Sequence, residues 1–138
     1  MSYAPEYNPK NKRNPLPRPD FVIKDKGATK AILDAKYRDL WEKTLPREML
    51  YQLGMYALVH NNVRGSTILY PTTSTEASEE RIIINDPVSR DFQGSVTIRP
   101  VNVYQFDALI QLPTSKPNSR MKEQYANYMV FGNKFRPN

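Results

Sequence analysis

Residues 19–36 read PDFVIKDKGATKAILDAK and contain two short apolar runs on either side of a turn sequence. The run FVIK is typical of a short strand, and residues 29–36 predict a second strand with the apolar centre AIL. Gly27 lies in the connection, where it can adopt a positive φ. Two strands joined by so short a loop predict a β-hairpin.

Three charged side chains lie at the open end of this predicted hairpin. Asp34 and Lys36 are two residues apart in a strand, so their side chains share one face, and folding around Gly27 brings Asp20 opposite Asp34, to within one residue of register. Two close carboxylates repel each other unless a cation neutralises them, and such hard oxygen ligands suit Mg²⁺ or Mn²⁺. Lys36 is then placed to orient an attacking water or to offset charge on a phosphate. The alternative is a turn residue at Asp20 and an ordinary surface ion pair between Asp34 and Lys36.

A helix is predicted after the hairpin. Pro46 suits a first helical turn, Glu48 complements the helix dipole, and apolar residues follow at helical spacing as far as His60. Gln52 and Tyr56 lie four residues apart, on one face of this helix. Polar side chains in an apolar stripe can point back to the end of the sheet and hold a water or a phosphate there.

The remainder of the chain predicts further strands and helices. We expect strands at 66–70, 81–85 and 96–104, with an edge position or a bulge at Pro100. A short helix is predicted at 105–112, and a last helix begins after Ser119. Residues 1–19 contain five prolines with basic residues between them, so they predict an extended arm before a single domain at 20–138.

The composition limits the classes of function. Cysteine is absent, which excludes disulfides, zinc–thiolate sites and cysteine nucleophiles, and the single histidine leaves little room for histidine-based catalysis. There is no run of 18 apolar residues and no apolar segment at the N-terminus, so we expect a cytoplasmic protein that neither spans a membrane nor carries a secretory signal. The formal net charge of +6 favours a polyanionic partner such as nucleic acid.

Basic residues of the arm and of the segment around the start of the first helix are candidates for contacts with DNA phosphates. The alternative is that they belong to a solvated tail and a solvated helix face. These candidates are Lys12, Arg13, Arg18, Lys43 and Arg47.

Three stretches, taken together, resemble a known group of nucleases. They are RPD at residues 18–20, ILDAKY at residues 32–37 and YQLGMYA at residues 51–57. In this order and at this spacing they resemble the PD-(D/E)xK nuclease superfamily. They are most like the C-terminal nuclease domain of the McrC-type subunit of McrBC methylcytosine-dependent restriction systems. The resemblance covers residues 17–71.

The resemblance implies an α/β (α+β) fold, with a mixed central β-sheet flanked by helices in a restriction-endonuclease-like core. It implies a Mg²⁺-dependent (or Mn²⁺-dependent) DNA endonuclease that hydrolyses phosphodiester bonds. By motif position, the metal would be held by Asp20, Asp34 and the carbonyl of Ala35. Lys36 would be the catalytic lysine, and the auxiliary helix motif would be Gln52 and Tyr56.

The same resemblance implies partners. The McrC-type subunits act with an AAA+ GTPase motor, and this chain has no GxxxxGK[ST] loop of its own, so a McrB-like motor would be a separate subunit. Cutting both DNA strands with a single site commonly requires two copies, which makes a homodimer an expectation as well.

One departure from the family pattern concerns the N-terminus. The family core has a helix and a strand before the Pro-Asp motif, but only 18 residues precede Pro19 here, and their prolines forbid that helix. Residues 3–7 would supply a strand remnant, and Glu6 is a poor substitute for the acidic residue of the missing helix. The chain is then the C-terminal part of a longer protein, or the core is trimmed, or a partner completes it. The alternative function is a noncatalytic scaffold that binds DNA or a motor subunit.

Overall fold

The structure is a computed structural model that describes residues 2, 4–14, 18–60 and 62–132. A short 3₁₀ turn, Pro5–Tyr7, precedes the main elements. In chain order these elements are β1 Phe21–Asp25, β2 Ala28–Ala35, α1 Arg47–Val59, β3 Gly65–Thr72, β4 Glu80–Asn85, β5 Phe92–Asn102, α2 Val103–Ile110 and α3 Lys116–Phe131. No helix in this part of the chain is both long enough and apolar enough to cross a membrane.

The strands form one mixed sheet in the order β1-β2-β3-β5-β4. The two outer pairs, β1 with β2 and β4 with β5, are antiparallel, whereas β2, β3 and β5 run parallel to one another. Parallel neighbours need a crossover connection, and α1 supplies it between β2 and β3. The predicted mixed sheet flanked by helices is therefore confirmed.

The first hairpin has the predicted geometry at its turn. Lys26 and Gly27 both have positive φ, at 49° and 79°, which matches the tight turns that join antiparallel strands. Phe21 pairs with Leu33, so the same register continues to Asp20 opposite Asp34. The hairpin thus places these two aspartates side by side at its open end.

The apolar core lies between α1 and one face of the sheet. Burial alternates strictly along β3, and Ser66 donates a hydrogen bond of 2.7 Å to the carbonyl of Leu53, which ties that strand to α1. The buried cluster consists of Ile32, Leu40, Leu53, Tyr56, Ile68, Tyr70, Val96 and Ile98. Because Asp34 follows Ile32 by two residues in β2, its side chain leaves the sheet on this same face.

The opposite face of the sheet carries a buried arginine that binds the end of α3. Arg99 is 3% exposed, and its Nε lies 2.7 Å from Glu79 Oε1. Its Nη1 donates to the carbonyl of Met129 at 2.8 Å and to that of Val130 at 3.2 Å. These contacts satisfy carbonyls that the last turn of a helix leaves without partners, and they hold α3 against β5.

Pro100 does not lie in an edge strand, since β5 has neighbours on both sides. The pairing of β5 with β4 ends at Ile98, however, so Pro100 has no partner in β4. On the other side of β5, Tyr70 of β3 lies opposite Pro100. The missing amide donor is therefore tolerated at a local edge of an interior strand.

Two helix starts differ from the predicted ones because of their capping residues. The side chain of Asn102 accepts hydrogen bonds from the first-turn amides of α2, which therefore begins at Val103 rather than two residues later. Ser115 caps α3 in the same way, so this helix begins before Ser119.

The arm is less extended than its prolines predict. Residues 5–7 form the 3₁₀ turn instead of a strand remnant, and Tyr3, Pro15 and Pro17 lie outside the described residues. Asn8 then closes a loop, because its side chain donates to the carbonyl of Lys12 at 2.9 Å and accepts from the amide of Lys12 at 2.8 Å.

Candidate active site

The candidate site is built at the open end of the β1–β2 hairpin. The backbone amide of Ala35 donates a hydrogen bond of 2.9 Å to Asp20 Oδ2. This bond fixes the Asp20 carboxylate beside the last residue of β2, although the two residues are 15 apart in sequence. The predicted proximity of Asp20 to the motif in β2 is thus present in the structure.

Asp34 and Lys36 form an ion pair in this place. Asp34 is 3% exposed, and the Nζ of Lys36 lies 2.5 Å from its Oδ2. Within the described residues, no donor makes a hydrogen bond of regular geometry to this Oδ2, so the ion pair is its partner. A buried carboxylate normally accepts several hydrogen bonds, and this one is therefore short of partners.

The position of the site in the sheet is typical of ligand sites. The carboxyl ends of the parallel strands β2, β3 and β5 point to one edge of the sheet. β2 ends there at Ala35, opposite Leu69, whereas β3 and β5 continue for three more residues, to Thr72 and Asn102. Lys36 is fixed at this edge, because its amide donates to the carbonyl of Leu69 at 2.9 Å. In open α/β sheets, ligands bind outside the carboxyl ends of the strands.

Gln52 and Tyr56 interact with each other. Gln52 Nε2 donates to the hydroxyl of Tyr56 at 2.7 Å, and Tyr56 is buried in the same cluster as Ile32. Among the described residues, no hydrogen bond joins this pair to Asp20, Asp34 or Lys36. Because Tyr56 belongs to the core cluster, it lies on the same side of the sheet as Asp34. The predicted auxiliary role of Gln52 and Tyr56 stays a prediction.

The donor set suits a hard cation, with two carboxylates and the carbonyl of Ala35 at one end of the hairpin. Asp34 Oδ2 is buried and has Lys36 as its ion-pair partner, but it accepts no hydrogen bond of regular geometry among the described residues, so a hard cation would compete with Lys36 for this oxygen. Over residues 18–60 and 62–132, together with the described part of the arm, no group of three or more histidine, cysteine, aspartate or glutamate side chains forms a metal cluster. A metal here would accordingly depend on waters or on substrate oxygens for its remaining ligands.

The basic candidates fall into two separate places. Lys12, Arg13 and Arg18 line one cavity of about 860 Å³ in the arm. Its remaining lining consists of Asn8, Asn11 and Asn14, so none of the described residues of the cavity wall is acidic. We call it the arm cavity, and its three cations and its amides are the chemistry that binds phosphates and base edges.

The other two basic candidates precede or begin α1. Lys43 lines a different cavity of about 630 Å³, between the segment 40–45 and β4. Arg47 is the first residue of α1 and is exposed. The structure does not join these two residues to the arm cavity, and a contact of either with DNA stays a prediction.

Asp39 supports the edge of the site and was not singled out by the sequence. Its Oδ2 accepts a hydrogen bond of 2.9 Å from Thr72 Oγ1, and its Oδ1 accepts one of 3.0 Å from the amide of Trp41. Burial raises the pKa of the nearby Tyr70, and the negative charge of Asp39 adds to this effect. The sequence could have drawn attention to Asp39 only as an acidic residue three positions after Lys36. Its contact with Thr72 could not be predicted, because the two residues are 33 positions apart in the chain.

Comparison with known proteins places the chain in a family. Residues 3–71, half of the chain, match the McrBC 5-methylcytosine restriction system component family. The chain therefore belongs to this family, and the matched region contains the hairpin, α1 and nearly all of β3. No significant match is found among curated proteins or among solved structures.

Proposed function

We propose that the chain is a Mg²⁺-dependent (or Mn²⁺-dependent) DNA endonuclease domain of the PD-(D/E)xK type, and that it is the cleavage component of a McrBC-like system, as a McrC-type subunit. The observation that carries this proposal is the group formed by Asp20, Asp34 and Lys36 at one end of a hairpin. Membership of a family of restriction-system components supports DNA as the substrate.

The roles follow from the positions of the side chains. Asp20, Asp34 and the carbonyl of Ala35 would hold the ion. When bound, the ion supplies a water of lowered pKa and neutralises charge on the phosphate. Lys36, which is paired with Asp34 in the structure, would be the catalytic lysine that orients the attacking water or offsets charge on the phosphate. Gln52 and Tyr56, one helical turn apart in α1, would hold a water or a phosphate oxygen at this end of the sheet.

The arm cavity supports a role for residues 8–18 in DNA binding. Three cations line it, and the other described residues of its wall are asparagines; cations of this kind supply the sequence-independent part of DNA affinity. Asn8 keeps the loop closed through its two bonds to the backbone of Lys12, one of the residues that line the cavity.

The partners we propose are DNA, a separate AAA+ GTPase motor subunit of McrB type, and a second copy of the chain. The family is described as a component of a restriction system, which supports a partner subunit. We propose that the protein acts in the cytoplasm, where restriction systems meet incoming DNA.

A noncatalytic scaffold is the second candidate function, and the ion pair favours it. Lys36 already pairs with Asp34, so the buried carboxylate of the site has a cationic partner without a metal. In this case the chain would keep the fold and bind DNA or a motor subunit without cutting.

Plasmid cleavage tests the proposal. We expect the wild type to nick a supercoiled plasmid with Mg²⁺ or Mn²⁺ and to be inactive in EDTA, and we expect Asp34→Ala and Lys36→Ala to abolish nicking. Asp25→Ala is the matched control, because Asp25 is an exposed aspartate of the same hairpin at its turn end. Nicking that survives in the Asp34 and Lys36 variants contradicts the catalytic assignment. A folded wild type that binds DNA but does not cut it, even with a motor subunit, favours the scaffold.

A further inference from the structure

Tyr37, which directly follows Lys36, has an unusual environment. Its exposed fraction is 101%, the largest among the large apolar side chains in the described part of the chain. A tyrosine ring in full contact with water contributes nothing to the core, and burying it would be favourable.

The backbone on both sides of Tyr37 is anchored. The amide of Lys36 is bonded to Leu69 of β3 at 2.9 Å, and the carboxylate of Asp39 is bonded to Thr72 at 2.9 Å. Only Tyr37 and Arg38 lie between these two fixed points. The ring is therefore held outward from a short, supported segment and does not belong to a long free loop.

The surroundings of the ring suit a nucleic acid. Lys36 and Arg38 flank it in sequence, Arg38 is exposed, and the carboxylate of Asp39 is already engaged by Thr72 and by the amide of Trp41. Cations beside an exposed aromatic ring are the combination that binds phosphates and stacks on bases.

We propose that Tyr37 is a substrate-positioning residue that stacks on a DNA base next to the phosphate that a cation held by Asp20 and Asp34 would bind. This inference rests on the proposed function. It adds that the Tyr37 ring holds a base in place beside the scissile bond. Stacking does not displace counterions, so it contributes affinity that does not depend on salt, whereas Arg38 contributes affinity that does.

Binding of the full chain to a short fluorescent duplex, measured by anisotropy over a range of salt concentrations, tests this inference; Ca²⁺ replaces Mg²⁺, so that a hard cation is available to the site while the complex is measured before any cleavage. We expect Tyr37→Ala to weaken binding on the order of tenfold with an unchanged salt slope, because base stacking on one aromatic ring has about this value. Tyr37→Phe keeps the ring and should bind within about twofold of the wild type. Arg38→Ala should reduce the salt slope by about 0.9.

Two controls make the outcome decisive. Phe92→Ala removes an aromatic ring that is 46% exposed at the first residue of β5, at the opposite end of the sheet from the carboxyl ends of the parallel strands, and should leave DNA affinity unchanged. Thermal unfolding of Tyr37→Ala should match the wild type, because the ring is fully solvated.

Equal DNA affinity of Tyr37→Ala and wild type refutes the stacking role, and the proposed nuclease function survives if the wild type still nicks plasmid. Loss of binding to a partner subunit with unchanged DNA affinity also refutes it, and it assigns the ring to a protein interface. A wild type that neither binds nor cuts DNA overturns both proposals.

Discussion

Replacing Lys36 by methionine separates the stabilising role of the ion pair from its proposed catalytic role. Asp34 is 3% exposed, and its charge is balanced by Lys36, whose side chain is 25% exposed. Removing one partner of a buried pair costs about 3–5 kcal/mol. Because water reaches the lysine end of this pair, whose side chain is 25% exposed, we expect a cost below that range, about 2 kcal/mol.

The companion variants give the expected pattern. Asp34→Asn removes the buried charge, and its former partner can be solvated, so we expect a change within about 1 kcal/mol. The double variant Asp34→Asn/Lys36→Met has no charge left to bury and should be more stable than Lys36→Met alone. None of the three variants should nick plasmid.

Thermal and urea unfolding in EDTA measure these differences. For a chain of this size, a loss of about 2 kcal/mol lowers Tm by roughly 5–10 °C. Added Mg²⁺ should stabilise Lys36→Met by about 2.7 kcal/mol at 100 times its Kd, which is enough to offset the whole expected loss. If Lys36→Met is as stable as the wild type, or if the double variant is no better than Lys36→Met, the coupling read from the structure is wrong.

Three further predictions concern other parts of the molecule. Arg99→Met should lower the free energy of unfolding by about 2–4 kcal/mol in urea titrations, because it leaves Glu79 and the last carbonyls of α3 without their partner; unchanged stability would contradict this. Burial raises the pKa of Tyr125 to about 12, whereas the ordinary pKa of a tyrosine is about 10. Between these two pH values the folded state keeps the phenol proton that the unfolded state loses. Stability should therefore fall as the pH rises from about 10 to 12, by about 1.4 kcal/mol per pH unit for this tyrosine, and Tyr125→Phe should show a shallower decline in urea titrations at stepped pH. Replacing all three cations of the arm cavity by alanine should reduce the salt slope of DNA binding by about 0.9 for each lost phosphate contact, and an unchanged slope would exclude the cavity from the DNA interface.

Local patterns were sufficient to predict most of the fold. The strand-turn-strand pattern around Gly27 predicts β1 and β2, and the helical spacing after Pro46 predicts α1, because each depends on interactions between near neighbours. The strand order was not predictable in this way. The position of β5 between β3 and β4 depends on contacts between distant segments, and for that reason the edge assignment of Pro100 holds only locally.

The site was predictable to a similar extent. The i, i+2 spacing of Asp34 and Lys36 fixes their shared face, and the hairpin fixes Asp20 beside them, so their proximity follows from the chain pattern. The bond between Asp39 and Thr72 and the full exposure of Tyr37 were not predictable, because both depend on where β3 and the following loop lie in three dimensions.

Binding of Mn²⁺ by the full chain, measured by calorimetry and by the loss of the free-ion electron paramagnetic resonance signal, tests the central claim most directly. This measurement needs neither DNA nor a motor subunit. We expect one ion per chain in the wild type and in Asp25→Ala, and loss of that ion in Asp20→Ala and in Asp34→Ala. Absence of binding in the folded wild type, or equal binding by all four proteins, would contradict a metal site at the end of the hairpin.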